Sequence, residues 1–284
     1  VILVDGIESS KAQHNLDFED RMARFGDACF ETIRVSNSYP LFYQRHYSRL
    51  IATMDYLNFD INPSLVLKRF FDELMLVIKG NGINNGSIRV IVHRLGRGKY
   101  RSTSGECERI IYISSRPDNE TFYPWHAKGL SVCIYQENVK AMSPLSNVKS
   151  NNALLYILGL RNALDSGYDD CIILNSAGRA AEASSSNLFL YSNGQLTTPP
   201  LSEGCLDGVM RNVIKKLAKW NKIELEERSI TREDILTSEE LFFTNAGSGI
   251  TWVKSLEGKE FACSFSKGLF LKLNERASQI LERR

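Results

Sequence analysis

From His46 to Leu57 the apolar residues Leu50, Ile51, Met54 and Leu57 recur at helical spacing. From Leu65 to Ile78 the residues Leu67, Phe70, Phe71, Leu74 and Ile78 do the same, so two amphipathic helices are predicted there. The run GNGINNG then breaks the pattern with residues that tolerate positive φ. SIRVIVHR and ERIIYISSR read as strands, and the GRGKYRSTSGE loop between them suits a hairpin. YPLFYQ (39–44) reads as a short strand. Further along, GLSVCIYQ, DDCIILN, NLFLYSN and ELFFTN read as strands, and helices are expected at 150–166, 208–221 and 266–283. The first of these helices carries Leu154, Leu155, Ile157, Leu158 and Leu160 on a broad apolar surface, with Ser166-Gly167 as a stop. The second has Val209, Val213, Ile214, Leu217 and Trp220 on one side and Lys215, Lys216 and Lys219 on the other. Stripes of this kind ordinarily pack into a core. No internal repeat or low-complexity tract is apparent.

Strands and helices therefore alternate along the chain, which predicts a mixed α/β fold. RPDNETFYPWHAK (116–128) is polar, contains proline and lacks periodicity, so it reads as a linker. It divides a first domain, 1–117, from a second, 118–284. A chain of 284 residues has room for two such domains.

Composition narrows the function classes. With 43% hydrophobic and 24% charged residues the chain is like ordinary globular proteins. Its net charge of +2 and the lack of a dense basic stripe argue against nucleic acid as a partner. Apolar runs such as LMLVI (74–78) are too short to span a bilayer, and VILVDG at the start lacks the basic region of a signal peptide. The six cysteines form no CxxC and read as buried reduced thiols. Four isolated histidines give a zinc site little support. These features fit a cytoplasmic enzyme acting on a small molecule.

The stretch from Lys149 to Arg211 adds candidate chemistry. A lysine precedes a predicted helix, Glu182 stands ahead of a strand, and Gly208 opens another helix. An amine, a carboxylate and a helix N-terminus are what a pyridoxal 5′-phosphate (PLP) enzyme needs for the cofactor's aldehyde, ring nitrogen and phosphate. A lysine at a helix N-terminus also meets an unfavourable macrodipole, which favours the neutral amine. Taken singly, each feature has a plainer reading: a solvated surface lysine, an exposed turn glutamate, and a helix end like any other.

Longer motifs change that balance. VKSNNALLYILGLRNALDSGYDDCIIL, the E-A-x-x-x-N-L-F run followed by TPPL, the GV-x-R turn at 208–211 and H-x-x-R-L at 46–50 resemble the class IV (fold type IV) aminotransferases. That family includes branched-chain and D-amino-acid aminotransferases and 4-amino-4-deoxychorismate lyase. The resemblance covers nearly the whole chain and is strongest from 149 to 253. It implies a two-domain fold with PLP between the domains, and a homodimer. Lys149 would carry the cofactor, and Glu182 would face its ring nitrogen. Gly208, Val209 and Met210 would hold the phosphate through main-chain groups, with Arg49 as a second contact. The turn that begins Thr244-Asn245 would add a third. Asn187 is expected to fix its turn by side-chain hydrogen bonds.

On the substrate side, GDACFETIR resembles the family's G-D-G-x-F-E motif with Ala28 for a glycine, and Phe30 becomes a candidate pocket wall. The cationic loop 93–101 offers Arg94, Arg97 and Tyr100 for a substrate carboxylate, against the plain reading of a solvated basic loop. Ala246 is a further candidate. The G-R-G-x-Y pattern in that loop, and TNAGSGITWV, look more like the aminodeoxychorismate lyases than the branched-chain enzymes. One departure stands out: many members carry a tyrosine four or five residues after the lysine, where this chain has Ala153 and Leu154. The nearest tyrosine is Tyr156, so that phenol's role does not transfer. The favoured expectation is elimination of pyruvate from aminodeoxychorismate to give 4-aminobenzoate, a step of folate synthesis. The alternative is transamination of a branched-chain or D-amino acid with 2-oxoglutarate. A non-catalytic binding protein on this fold predicts loss of the lysine or the glutamate, and both are present.

Overall fold

The computed structural model describes residues 1–9, 18–101, 104–113 and 120–283. Residues 114–119, where the expected linker begins, lie outside that set, as do two residues of the GRGKYRSTSGE loop (96–106). The chain forms two compact units: Val1–Phe122 with Lys149–Asn152 and Ile280–Arg284, and Tyr123–Val148 with Ala153–Gln279.

The first unit contains β1 (Ile2–Val4), β2 (Ile7–Ser9), α1 (Arg21–Phe25), β3 (Ala28–Ser36), β4 (Tyr39–Pro40), α2 (Tyr43–Tyr56), α3 (Leu67–Gly80), β5 (Gly86–Arg94) and β6 (Cys107–Ile113). Its sheet has the order β2-β1-β6-β5-β3-β4 and is antiparallel at every pairing among the described residues. The expected hairpin is β5–β6, with Ile88 opposite Ile113 and Arg94 opposite Cys107. Period-two alternation sends Cys29, Ile33, Val35, Ile88, Val90 and Val92 to one face. There they meet Leu50 and Met54 of α2 and Phe70, Leu74 and Ile78 of α3 in one core. The opposite face carries Phe30 and Thr32 beside Ile91 and Arg89, which are register partners across β3 and β5. YPLFYQ is extended only at Tyr39–Pro40. Proline withholds a ladder donor, and Phe42 turns left-handed at φ 55, which starts α2 three residues before His46.

The second unit contains β7 (Leu130–Lys140), α4 (Leu154–Asp165), β8 (Asp170–Asn175), β9 (Ala180–Ala183), β10 (Asn187–Ser192), β11 (Gln195–Thr198), α5 (Val209–Trp220), β12 (Glu224–Glu227), α6 (Arg232–Thr237), β13 (Glu240–Asn245), β14 (Gly249–Leu256) and β15 (Lys259–Glu260). A long helix, α7 (Ser264–Glu282), follows. The strands run β12-β11-β10-β13-β14-β7-β8-β9, with β15 against β14. Pairing is parallel at β11/β12, β14/β7 and β7/β8 and antiparallel elsewhere. Val132, Ile172, Leu188, Leu190, Leu241, Phe243 and Val253 share one core with Ile230 and Ile235.

The mixed α/β class expected from the pattern is the class the chain adopts. Two details differ. Glu182 lies inside a strand, β9, opposite Ile173 of β8, rather than ahead of one. The apolar surface of α4 is not all core: Leu154, Ile157 and Leu158 are 73%, 58% and 50% exposed. The helix packs through Gly159 and Ala163, with Leu155 and Tyr156 beside them, and a β-carbon at Gly159 would meet Cys171 Sγ at 3.0 Å. On α5 the stripe is core as expected, except Trp220, whose exposed ring carries the Arg276 guanidinium. All six cysteines are free, and four are buried. Among the described residues no helix is long and apolar enough to cross a membrane, and no group of three or more His, Cys, Asp or Glu is placed to hold a metal ion.

Candidate active site

The candidate lysine belongs to the first unit. Beyond the stretch that β4 covers, the outer edge of β3 is open, and Lys149–Asn151 pairs there: Phe30 N–H donates to Lys149 C=O at 3.1 Å, Asn151 N–H donates to Ala28 C=O at 2.9 Å, and Cys29 bridges Ser150. Gly26, left-handed at φ 66, ends α1 and leaves room for Asn152, whose Oδ1 lies 2.8 Å from where a β-carbon would stand. The GDACFE segment thus builds the edge on which the lysine is mounted. Lys149 is not at a helix N-terminus, since α4 begins only at Leu154. The macrodipole acts within the first turn, so that expectation is withdrawn.

Lys149 Nζ lies 4.3 Å from the centre of the Phe30 ring. The guanidinium of Arg89 lies over the same ring at 3.8 Å and has no hydrogen-bond acceptor among the described residues. Arg89 was missed in the sequence, although the alternation of SIRVIVHR signals it: Ile88, Val90 and Val92 are core, so Arg89 must share the other face with Ile91.

Arg49 rises from α2 on the helix-covered side and grips Glu31 with its fork: Nε reaches Oε1 at 2.7 Å and Nη2 reaches Oε2 at 2.5 Å. His46 Nδ1 is 2.7 Å from the same carboxylate, and both His46 and Glu31 are buried. Burial alone raises the Glu31 carboxyl, but the charge and hydrogen bonds of Arg49, then His46, outweigh it and bring it from 4.5 down to about 2. Burial pushes His46 below its usual value against the pull of Glu31, and the charges of Arg49 and Lys149 push the same way. Lys149 and Arg49 therefore lie within electrostatic reach of one imidazole. Because the folded Glu31 carboxyl is depressed, its contribution is full above about pH 4.5 and is lost as pH falls towards 2. That contribution is about 3 kcal/mol. Urea unfolding at about pH 6 and about pH 3 checks it: the loss should be steeper for the natural chain than for Glu31→Gln.

The cationic loop divides. Arg94 is held by Asp27 Oδ2 at 3.0 Å and by the carbonyls of Leu57, Asn58 and Ser104. Four of its five N–H donors are engaged in folding the loop. Arg21 also binds Asp27 and donates to the carbonyls of Lys99 and Tyr100. Arg97 and Tyr100 are exposed, the latter packing against Phe25.

The second unit brings the other candidates together through Asn187, at the start of β10. Its Nδ2 donates to Leu206 C=O at 2.8 Å and to Glu182 Oε2 at 3.4 Å. Its Oδ1 lies over Gly208, leaving no room there for a β-carbon, and its register partner on β13 is Thr244. The Asn187 side chain thus joins the carboxylate to the start of α5, and its main chain pairs with β13. Gly208→Ala should displace Asn187 and lower stability by about 1–3 kcal/mol in urea unfolding.

Glu182 is buried and accepts from Lys140 Nζ, Tyr156 Oη at 2.7 Å and Leu206 N–H at 2.8 Å besides Asn187. Neither Lys140 nor the Tyr156 contact was legible in the sequence, since Lys140 lies beyond the strand read at GLSVCIYQ. No side chain among the described residues caps α5, and the amides of Val209, Met210 and Arg211 have no acceptor within the helix. Thr244 is 1% exposed and its Oγ1 is a buried hydroxyl without a partner among the described residues. Asn245 instead builds the turn: its Oδ1 accepts from Gly247 N–H at 2.9 Å and Ser248 N–H at 2.7 Å, and its Nδ2 reaches Ser186. Ala246 lies half-buried within that turn. An orphaned hydroxyl, a helix start closed to any β-carbon and a buried carboxylate fit the phosphate and ring nitrogen of PLP.

Residues 28–256 match the family model described as Amino-transferase class IV. A probable branched-chain-amino-acid aminotransferase of Thermotoga maritima is 30% identical over 251 residues, which cover 87% of this chain and 84% of that one. The 4-amino-4-deoxychorismate lyase of Pseudomonas aeruginosa superposes with a TM-score of 0.80 at 26% identity, covering 97% of both chains. The branched-chain aminotransferase of Thermoproteus uzoniensis, at 22% identity, shares the fold with a TM-score of 0.88, covering 97% of this chain and 94% of its own. The chain belongs to the class IV aminotransferases and is an enzyme of that family.

Proposed function

We propose that this chain is a PLP enzyme that eliminates pyruvate from 4-amino-4-deoxychorismate. When bound, PLP supplies an aldehyde carbon for an amine and a ring that stores the electron pair left by proton removal. Lys149 Nζ would hold the aldehyde carbon and, once the substrate's amine has taken its place, the freed amine would move the proton at the carbon bearing the substrate's amino group. Glu182 receives the ring nitrogen. Thr244 Oγ1 and the amides of Val209 and Met210 bind the phosphate, and Arg49, aimed by Glu31, adds a charge. In the reaction one C–H bond and one ether C–O bond break. The ring becomes aromatic, and the released enol takes up a proton to become pyruvate.

The observation that carries the choice of substrate is the Phe30 platform. A flat ring beside Lys149, with a guanidinium over it that lacks an acceptor, suits a carbocycle bearing a carboxylate. The likeness to the Pseudomonas lyase supports the same reading. The branched-chain aminotransferase among the relatives favours transamination as the second reading, which would use the same lysine, carboxylate and phosphate groups. The test is pyruvate release from aminodeoxychorismate by the PLP-loaded protein with no keto acid added. Sustained turnover is expected. No pyruvate, but transfer from an amino acid to 2-oxoglutarate, would replace the lyase with the transaminase.

The exposed apolar stripe Leu154, Ile157 and Leu158 on α4 supports a homodimer. Light scattering on the loaded protein checks the mass.

A further inference from the structure

Glu182 is saturated with donors. A carboxylate offers about four acceptor positions, and four donors reach this one. The two on Oε2 are fixed: one is the Leu206 main chain, and the other is Asn187, itself pinned to Leu206 C=O. The two on Oε1 are side chains, Lys140 from the end of β7 and Tyr156 from α4. Lys140 is only 5% exposed, and its Nζ also lies 5.2 Å from the centre of the Tyr156 ring.

A buried ion pair is a poor stabiliser in itself, because desolvating both charges offsets their attraction. No step assigned to the site uses Lys140. We propose that Lys140 is a positioning residue for Glu182, a resident counter-charge that holds Oε1 and yields it to the ring nitrogen of the cofactor. The proposal rests on the PLP reading. The chemistry of the donors says which oxygen changes partner. The Oε2 donors are built into the backbone turn and keep the carboxylate oriented. The lysine is a point charge on a flexible four-carbon stem and can withdraw without unfolding anything. Burial first, and the Glu182 charge second, push the Tyr156 phenol upward, so it stays a donor throughout.

Two cations then compete for one carboxylate, and removing the resident one should favour the incoming one. Lys140→Met is expected to melt lower than the natural chain without PLP, to gain more in Tm on saturation with PLP, and to bind PLP about tenfold more tightly by fluorescence titration, the scale of one charge pair's coupling. Lys140→Arg, which keeps the charge, should behave like the natural chain. If the methionine variant does not fold, Lys140→Gln removes the charge, keeps a donor and carries the same expectation. Equal Tm gains and equal affinity in the natural and neutral variants would make Lys140 merely structural and overturn the proposal. Weaker PLP binding by the neutral variants would also overturn it, showing that the lysine helps hold the cofactor. A natural chain that binds no PLP at all would instead sink the functional reading on which the proposal stands.

Discussion

Lys149→Ala should fold like the natural protein and lose turnover by about 10²–10⁴-fold or more. The fold survives because Lys149 holds the edge of β3 through its carbonyl, not its side chain. The Phe30 N–H to Lys149 C=O bond, the Cys29–Ser150 bridge and the Asn151 N–H to Ala28 C=O bond are all main-chain. What the substitution removes is the amine over the Phe30 ring. Stability is read by urea unfolding and turnover by pyruvate release. Lys149→Arg should lose as much turnover, since a guanidinium stays protonated and cannot attack a carbonyl carbon. An alanine variant with turnover within a few-fold of the natural chain would remove the lysine from the mechanism.

Glu182→Ala should be among the most destabilising single substitutions in the second unit. It strands the buried Lys140 charge, and breaking a buried pair from one side costs about 3–5 kcal/mol. It also leaves Tyr156 Oη, Asn187 Nδ2 and Leu206 N–H short of their acceptor. Because Asn187 ties Leu206 to the start of α5, the loss should reach the amides there that we propose for the phosphate. Replacing both ions, as in Lys140→Met with Glu182→Leu, should recover much of the stability while leaving the ring nitrogen without a partner. The pair separates two roles of one carboxylate: unfolding free energy reports the ion pair, and PLP affinity reports the site. If the double variant were no more stable than Glu182→Ala, the stranded lysine would not be the cause.

The sequence announced helices and strands where one side chain type repeats with one period. The stripes at 46–57, 65–78 and 208–221 became α2, α3 and α5, and SIRVIVHR paired with ERIIYI as expected. It announced α4 with a partly wrong implication, because Leu154, Ile157 and Leu158 of its apolar surface are exposed while the helix packs through Gly159 and Ala163 with Leu155 and Tyr156. Close approach of a helix to a sheet needs small residues, and hydrophobic periodicity does not register them. GDACFETIR hid a nine-residue strand behind a motif, as its charged Glu31 and Arg34 are buried by partners far along the chain. The candidate site shows the same division. Lys149, Glu182, Gly208 and Thr244 were named from motifs, whereas Lys140, Tyr156 and Arg89 act through contacts across strands and helices. A buried cation is recognised by the carboxylate or ring it meets, and that neighbour is set by register. Arg94, prominent in a cationic loop, turned out to be engaged with Asp27 and three carbonyls.

The most direct test of the account is to load the protein with PLP, reduce it with borohydride, digest it and locate the modified peptide by mass spectrometry. Two lysines are candidates to carry the cofactor, Lys149 on the edge of β3 in the first unit and Lys140 beside Glu182 in the second. The account predicts one phosphopyridoxyl group per chain, on the peptide containing Lys149. Modification of Lys140, or of neither, would contradict it.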